Sequence, residues 1–301
     1  MAKRKKRNNA YRFLISSLVN NLVFGRAKIE ASKRKAHVCP IYRAKLSTEP
    51  ELIATGIFFS IGDRKFVLTA SHVFGSSDEG HQYLYIPSHR TRDLTELVGT
   101  YIRSTKDKSA DANDTNDIGI VLLHEELAAQ IESSAFVTMD MVDVYDIGDF
   151  TKPYMAMGFP WRVSPKVCRR SRTATASIFS YLSELLGHEK LLKRGLSSRT
   201  HFLLRYAKRH SRDHTGRDIT VPDPHGLSGG PLWRIEPLNS DGETSRLVGI
   251  VIEWDREEGG LLAFRLPLIL AGIGQICPEI AHLIPESETV AVKITTPLLI
   301  S

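Results

Sequence analysis

Three residue types that together can cleave an acyl bond occur in suggestive local contexts along this chain. One apolar run ends at His72, a second begins just after Asp117, and Ser228 lies in the glycine-rich turn of residues 225–233. A serine hydroxyl is a weak nucleophile at neutral pH and needs an adjacent base. Histidine suits that role because its ordinary pKa lies near working pH. The three residues therefore predict nucleophilic catalysis, provided that the fold brings them together.

The elements that must position these residues are predicted to be β-strands. Short runs rich in Val, Ile, Phe and Tyr alternate with Gly, Ser, Asp and Asn clusters, which is typical of antiparallel strands. The first series comprises residues 52–61, 65–69, 82–86, 97–102 and 118–123. The second comprises residues 154–159, 201–206, 231–235, 247–252 and 261–266. The pattern predicts an all-β protein.

Two stretches have apolar residues at helical spacing instead. Residues 177–192 interrupt the second strand series and predict a helical insertion. Residues 268–284 predict a second helix, which Pro278 bends or splits.

The order and context of the three motifs resemble those of the trypsin-like serine proteases, in which His, Asp and Ser also follow one another. The separations are 45 residues from His72 to Asp117 and 111 from Asp117 to Ser228, and the resemblance covers about residues 52–270. It implies two antiparallel β-barrels of the trypsin-like type. A further match is residues 247–251, which resemble the strand that backs the primary specificity pocket in that family.

The resemblance also implies a division of the chain. Its predicted parts are a basic N-terminal arm at 1–45, a first barrel at 46–145, a second barrel at 146–285 and a C-terminal tail at 286–301, with a basic helical insertion at about 161–200.

By this resemblance the protein is a serine endopeptidase that works through an acyl-enzyme. Ser228 is the nucleophile, His72 is the base and later the acid for the leaving amine, and Asp117 holds the imidazole. The amides of Gly226 and Ser228 form the oxyanion hole. Leu227 stands where the digestive enzymes have the aspartate that pairs with a new N-terminus. The chain is therefore closest in pattern to bacterial and intracellular members without zymogen-type activation.

The substrate pocket implied by the resemblance involves Pro222 and Asp223 before the serine, and Ile252, Glu253 and Trp254 on a later strand. Glu253 or Asp223 would favour a basic substrate side chain. The alternative is that these carboxylates point outward and form salt bridges.

The formal net charge of +6 is concentrated in two segments. Residues 1–45 carry 13 Lys and Arg against one acid, and residues 161–218 carry 14 against four. Like-charge blocks are typical of solvated surfaces or of faces that bind partners. They allow an acidic protein or nucleic-acid partner, and the alternative function is a catalytically silent protease-fold module that binds one. The presence of all three catalytic residue types favours the enzyme, with a protein or peptide as substrate.

The cysteines predict neither a disulfide framework nor a zinc site. Cys39, Cys168 and Cys277 are odd in number and widely separated. His210 and His214 have a spacing that suits metal ligation on a helix, but they lie in a polar, basic run. We therefore expect no metal and no cofactor.

The sequence predicts a cytoplasmic protein. No apolar run approaches the roughly 20 residues that cross a bilayer. The basic N-terminus and residues 11–24 imitate a signal peptide, but Asn20 and Asn21 interrupt the apolar stretch, and its spacing predicts an amphipathic helix.

Overall fold

The chain folds mainly into β-structure, as the strand patterns predict. The computed structural model describes residues 23, 25–45, 49–75, 82–88, 91, 93–104, 117–162, 167, 174, 176–206, 211–212, 218–236, 245–286 and 298–300. These residues form two curled antiparallel sheets, or half-barrels, with few helices. None of the helices in the described part of the chain is long and apolar enough to cross a membrane.

The strands, in chain order, are β1 (Val38–Lys45), β2 (Glu51–Ile61), β3 (Arg64–Thr69), β4 (Gln82–Pro87), β5 (Leu94–Glu96), β6 (Gly99–Arg103), β7 (Gly119–Leu123), β8 (Tyr154–Gly158), β9 (Phe179–Ser183), β10 (His201–Arg205), β11 (Ser211–Arg212), β12 (Asp218–Ile219), β13 (Pro231–Ile235), β14 (Ser245–Asp255), β15 (Gly260–Arg265) and β16 (Leu298–Ile300). The helices are α1 (25–34), α2 (Glu125–Gln130), α3 (His188–Lys193) and α4 (Leu266–Ile276).

The two larger sheets divide the chain between them. The first has the strand order β16-β6-β7-β3-β2-β1-β4-β5, and the second has the order β10-β15-β14-β13-β8-β9. A separate pair is formed by β11 and β12. His72 and Asp117 follow and precede strands of the first sheet, and Ser228 precedes β13 of the second.

Strand β2 belongs to the first sheet, and both of its faces are buried because one of them packs against the second sheet. Ile57, Phe59 and Ile61 belong to a core that the first sheet shares with the second, whereas Ala54 and Phe58 pack in the first sheet's own core. This division follows from the two-residue period of a strand, which sends successive side chains to opposite faces. The junction between the sheets is therefore well packed.

The N-terminal segment enters the fold before residue 46, which corrects the predicted boundary of the arm. Strand β1 pairs with both β2 and β4. Cys39 and Ile41 pack on one face of β1, and Val38 and Tyr42 pack in another cluster. This alternation is that of a strand, but the surrounding Lys and Arg residues made the segment resemble a charged arm. The predicted amphipathic helix within residues 11–24 lies outside the described residues, apart from Val23.

Helix α1 is fastened to the second sheet by a buried polar cluster. Arg34 Nε donates to Ser245 Oγ at 3.0 Å, and Ser245 Oγ donates to Glu30 Oε2 at 2.7 Å. The guanidinium of Arg34 also lies over the Trp233 ring, 5.0 Å from its centroid. Glu30 and Arg34 are buried. The two side chains form a buried ion pair, with Arg34 Nε 3.8 Å from Glu30 Oε2.

Replacing Glu30 with alanine is expected to lower the free energy of unfolding by about 3 to 5 kcal/mol, because it removes one partner of a buried ion pair. Urea unfolding measures this change. Lys28→Ala is the matched control, since Lys28 is an exposed residue of the same helix. Equal losses in the two variants would contradict the structural role of the buried cluster.

The predicted helix at 177–192 is wrong over most of its length. Residues Phe179–Ser183 form β9 at the edge of the second sheet, where Met157 pairs with Ser180, and only His188–Lys193 are helical. The apolar spacing fits a helix, but the free edge of β8 supplies hydrogen bonds that favour a strand. Residues 169–173, which carry three of the nine Lys and Arg residues in 161–200, lie outside the described part.

Near the C-terminus, the predicted break in the helix at Pro278 is confirmed, but the predicted tail contains a strand. Helix α4 ends at Ile276 and a 3₁₀ helix spans Pro278–Leu283, which confirms that Pro278 splits the helical stretch. The predicted tail at 286–301 contains β16, which pairs with β6 at the edge of the first sheet. This segment forms a strand because the edge of β6 provides backbone hydrogen-bond partners for it.

Candidate active site

His72 is presented by the sharp turn that follows β3. A 3₁₀ helix, Ser71–Phe74, buries Ser71 and Val73 but leaves the His72 side chain 51% exposed. The turn ends at Gly75, whose φ of 70° suits glycine and whose amide donates to the His72 carbonyl. The imidazole is therefore held by its backbone while its ring remains accessible.

Asp117 reaches His72 because β3 and β7 are paired. Thr69 is opposite Gly119, so the residues just beyond that pair lie together at one end of the two strands. A side chain at Gly119 would collide with the Phe74 ring and the Ala70 carbonyl. Glycine at this position thus permits the close approach that brings Asp117 beside the turn.

The Asp117 carboxylate accepts two hydrogen bonds from His72. The ring nitrogen Nδ1 donates to Oδ2 at 2.6 Å, and the His72 amide donates to Oδ1 at 2.9 Å. Burial by itself would raise the pKa of the Asp117 carboxyl, but the hydrogen bonds and charge of His72, together with a hydrogen bond from Ser71, lower it below its ordinary value. The carboxylate therefore stays ionised and orients the ring with Nε2 outward.

Glycines shape the turn that holds Ser228. Gly226 and Gly229 have φ values of 96° and 85°, which L-residues with side chains rarely adopt. A side chain at Gly226 would also collide with the Phe159 carbonyl, and one at Gly229 with the Thr55 carbonyl. The turn can therefore pack against both sheets only with glycine at these positions.

Thr55 of β2 fastens the Ser228 turn to the first sheet. Its amide donates to the Ser228 carbonyl at 2.9 Å, and its hydroxyl donates to the Gly226 carbonyl at 2.6 Å. The same hydroxyl accepts from the Phe159 amide at 3.0 Å, and Thr69 Oγ1 donates to the Thr55 carbonyl at 2.8 Å. Thr55 is fully buried. It is the point at which three chain segments meet.

The peptide between His225 and Gly226 is also fixed in orientation. The His225 carbonyl accepts from the Trp161 amide at 2.8 Å, and the peptide is trans. Because the C=O and N–H groups of a trans peptide point in opposite directions, the Gly226 amide points away from Trp161. Within the described part of the chain, neither this amide nor that of Ser228 donates to another backbone group.

Ser228, His72 and Asp117 line a single cavity of about 390 Å³. The Ser228 hydroxyl donates to the Ile252 carbonyl at 3.2 Å, and among the described residues it makes no hydrogen bond to His72. A second cavity of about 410 Å³ is also lined by His72 and His225, together with Trp161 and Arg43. The three residues singled out from the sequence are thus brought to one place.

The predicted pocket residues divide into two groups. Ile252, Glu253 and Trp254 line the cavity with Ser228, but Pro222 and Asp223 are not among its lining residues. The Pro222 carbonyl accepts from Tyr206 OH at 2.8 Å, and Asp223 accepts from the His225 amide at 3.2 Å. The stretch before the serine therefore enters the cavity only from Pro224 onward.

Several residues of the site were missed by sequence reasoning. The cavity is also lined by Pro224, His225, Arg256 and Leu261, and Thr55 holds the serine turn. Leu261 enters because it pairs with Trp254 across β14 and β15. No local sequence pattern predicts which residues of β14 and β15 are paired. For Pro224 and His225, a signal was available in their position next to the glycines around Ser228.

The remaining predictions about the site concern metals and cysteines. No group of three His, Cys, Asp or Glu side chains in the described segments is arranged to hold a metal ion. His210 and His214 lie outside those segments, as does Cys168. Cys39 and Cys277 are buried free thiols.

Comparison with known proteins found no protein-family model that matches the chain and no curated protein similar to it in sequence. The case for a function therefore rests on the geometry of the site.

Proposed function

We propose that this protein is a serine endopeptidase with two barrels of the trypsin-like type. The observation that carries the proposal is the doubly hydrogen-bonded His72–Asp117 pair at the cavity that also contains Ser228. Asp117 holds the imidazole in the tautomer whose Nε2 can accept a proton. This arrangement has the parts that acyl transfer to serine requires.

The reaction proceeds in two halves. Ser228 Oγ attacks the substrate carbonyl carbon while its proton passes to His72 Nε2, and the carbonyl oxygen becomes an oxyanion. The C–N bond then breaks as His72 returns the proton to the leaving amine, which leaves an acyl ester on Ser228. Water repeats the sequence, giving its proton to His72 and releasing the acid and the free serine.

Before the attack, the Ser228 hydroxyl exchanges one hydrogen bond for another. In the free protein it donates to the Ile252 carbonyl, and a rotation about the Cα–Cβ bond turns it toward His72. Such rotations of accessible side chains occur in picoseconds to nanoseconds. Catalytic hydrogen bonds are often completed only when substrate is bound, so this geometry is compatible with the mechanism.

The oxyanion donors are the amides of Gly226 and Ser228. Each amide is oriented through the carbonyl of its own peptide, because the His225 carbonyl accepts from the Trp161 amide and the Leu227 carbonyl accepts from the Gly230 amide, both at 2.8 Å. Donors that are held before the reaction need no reorganisation as negative charge develops on the substrate oxygen. Two cavities that share His72 and His225 in their lining offer room for more than one substrate residue, which is compatible with an endopeptidase.

A fluorophosphonate probe tests the proposal directly. It should label the wild-type protein at Ser228, and the Ser228→Ala variant should remain unlabelled. Ser180→Ala is the matched control, because Ser180 is an exposed serine on β9 and its loss should leave labelling unchanged. An unlabelled wild-type protein, or undiminished labelling of Ser228→Ala, would refute the proposed function.

The role of Thr55 gives a separate prediction. Thr55→Val keeps the shape of the side chain but removes the hydroxyl that holds the Gly226 carbonyl, so we expect kcat to fall about tenfold with little change in KM. The fall is smaller than the roughly 10² to 10³ caused by losing an oxyanion donor itself. Thr55→Ser retains the hydroxyl and should restore most of kcat. Equal rates for the valine and serine variants would contradict a positioning role.

A further inference from the structure

We infer that the cavity beside Ser228 selects an uncharged, apolar substrate side chain and discriminates against a basic one. The inference rests on the proposed function, since it concerns the residue whose carbonyl Ser228 attacks. It is carried by two observations: five buried apolar residues in the cavity lining, and the partners that the structure gives to the carboxylates of Asp117, Glu253 and Asp223.

Five of the twelve residues that line the cavity are buried and apolar. Leu227, Val251 and Leu261 are 1%, 2% and 1% exposed, and Pro224 and Ile252 are also buried. A substrate side chain that enters here exchanges water for hydrocarbon surface. Apolar groups are stabilised by such a transfer, whereas an ammonium group loses its hydration and meets only the Asp117 and Glu253 carboxylates, which already bind His72 and Arg194.

The carboxylates of Glu253 in the cavity lining and of Asp223 and Asp255 nearby have partners elsewhere in the protein. Arg194 Nη2 lies 3.2 Å from Glu253 Oε1, and Arg194 Nη1 lies 3.2 Å from Asp255 Oδ2. Asp223 accepts from the His225 amide, and His225 Nε2 lies 3.8 Å from the same carboxylate oxygen. These pairings correspond to the alternative in which the pocket carboxylates form salt bridges.

The rim also carries a cation. Arg256 lines the cavity and lies over the Trp254 ring, 4.7 Å from its centroid. Among the described residues, no carboxylate forms an ion pair with Arg256. A lysine or arginine of the substrate would therefore enter a cavity with a like charge at its mouth. The electrostatics and the apolar lining disfavour the same class of side chain.

Arg194 is the residue whose loss would change this selectivity. Arg194 does not line the cavity. It forms an ion pair with Glu253, which is one of the lining residues. Removing the guanidinium frees a carboxylate at the rim, where it can pair with the ammonium group of a bound lysine. The substitution should therefore shift the preference toward basic side chains.

The experiment compares diphenyl phosphonates that differ only in the side chain beside the phosphorus, with norleucine matched against lysine. The two side chains share a four-carbon stem and differ in the terminal charge. In wild-type protein, the norleucine compound should inactivate Ser228 at least about tenfold faster. Arg194→Ala should reduce that ratio severalfold. Arg205→Ala is the matched control, because it removes a cation from an exposed pair with Glu184 away from the cavity and should leave the ratio unchanged.

The possible results separate this inference from the proposed function. If the simple fluorophosphonate fails to label Ser228, the proposed function itself is refuted. If it labels Ser228 but the lysine compound reacts as fast as the norleucine compound, or neither reacts, the proposed function survives and the apolar selectivity is overturned. An unchanged ratio in Arg194→Ala, or an equal change in Arg205→Ala, would overturn the role assigned to the rim charges.

Discussion

Replacing Ser228 with alanine should lower kcat for a cleaved peptide by about 10⁴ to 10⁶, and adding His72→Ala should lower it little further. The reason is that the two side chains act in one step: without the hydroxyl there is no nucleophile, and without the imidazole there is no base to activate it. Each loss alone removes the same acyl-enzyme route. The residual rate of both variants comes from binding and oxyanion stabilisation, which the Gly226 and Ser228 amides retain.

Measurement of kcat in the two single variants and the double variant forms a complete cycle. Strong non-additivity is the expected result, since independent residues would multiply their effects. If the two losses multiply, His72 and Ser228 do not work as a unit and the proposed mechanism is wrong. Full activity of His72→Ala on a peptide that the wild type cleaves would also contradict the proposed mechanism.

Asp117→Asn should lower kcat at neutral pH by about 10⁴, as the loss of this interaction does in the enzymes with a Ser-His-Asp triad. An asparagine amide nitrogen would donate to His72 Nδ1, which fixes the ring with its proton on Nε2. That nitrogen then cannot accept the serine proton. The control is Asp149→Asn, an exposed aspartate of another loop whose carboxylate bonds Thr151. An equal loss in the two variants would contradict the assignment.

The pH dependence of the same carboxylate has a defined sign. Because its pKa in the folded protein is lower than the ordinary aspartate value, Asp117 contributes stability that is fully present above the unfolded value of about 3.9. That contribution is lost as the pH falls through the lower folded value. Acid unfolding of Asp117→Asn should therefore lack the part of the wild-type transition that occurs below about pH 4. Identical acid transitions would show that Asp117 is not stabilised by His72.

Much of the secondary structure was accessible from the sequence because its signal is local. The apolar runs at 65–69, 118–123 and 231–235 correspond closely to β3, β7 and β13. Their side chains are buried, and a short apolar run bounded by turn residues is a sufficient signal for such a strand. Pro278 likewise marked a helix end by its own chemistry, since proline cannot continue the backbone hydrogen bonds.

The errors occurred where a strand forms because a neighbouring edge is available. Val38–Lys45 pairs with β2 and β4, Phe179–Ser183 pairs with β8, and Leu298–Ile300 pairs with β6. Their own residues are compatible with an arm, a helix and a tail. The hydrogen bonds that decide between these states come from partners that a local pattern does not contain.

The sequence by itself determined which side chains could do chemistry: His72 after a buried strand, Asp117 before another, and Ser228 among glycines. Residue type and immediate neighbours suffice for that selection. Only the tertiary structure decided that the His72 ring and amide both meet the Asp117 carboxylate, since this depends on the register of Thr69 against Gly119. It also decided that Thr55 holds the serine turn and that Arg194 neutralises Glu253. These contacts join residues 171 and 59 positions apart, and such pairs are set by how the sheets pack rather than by either residue's local sequence.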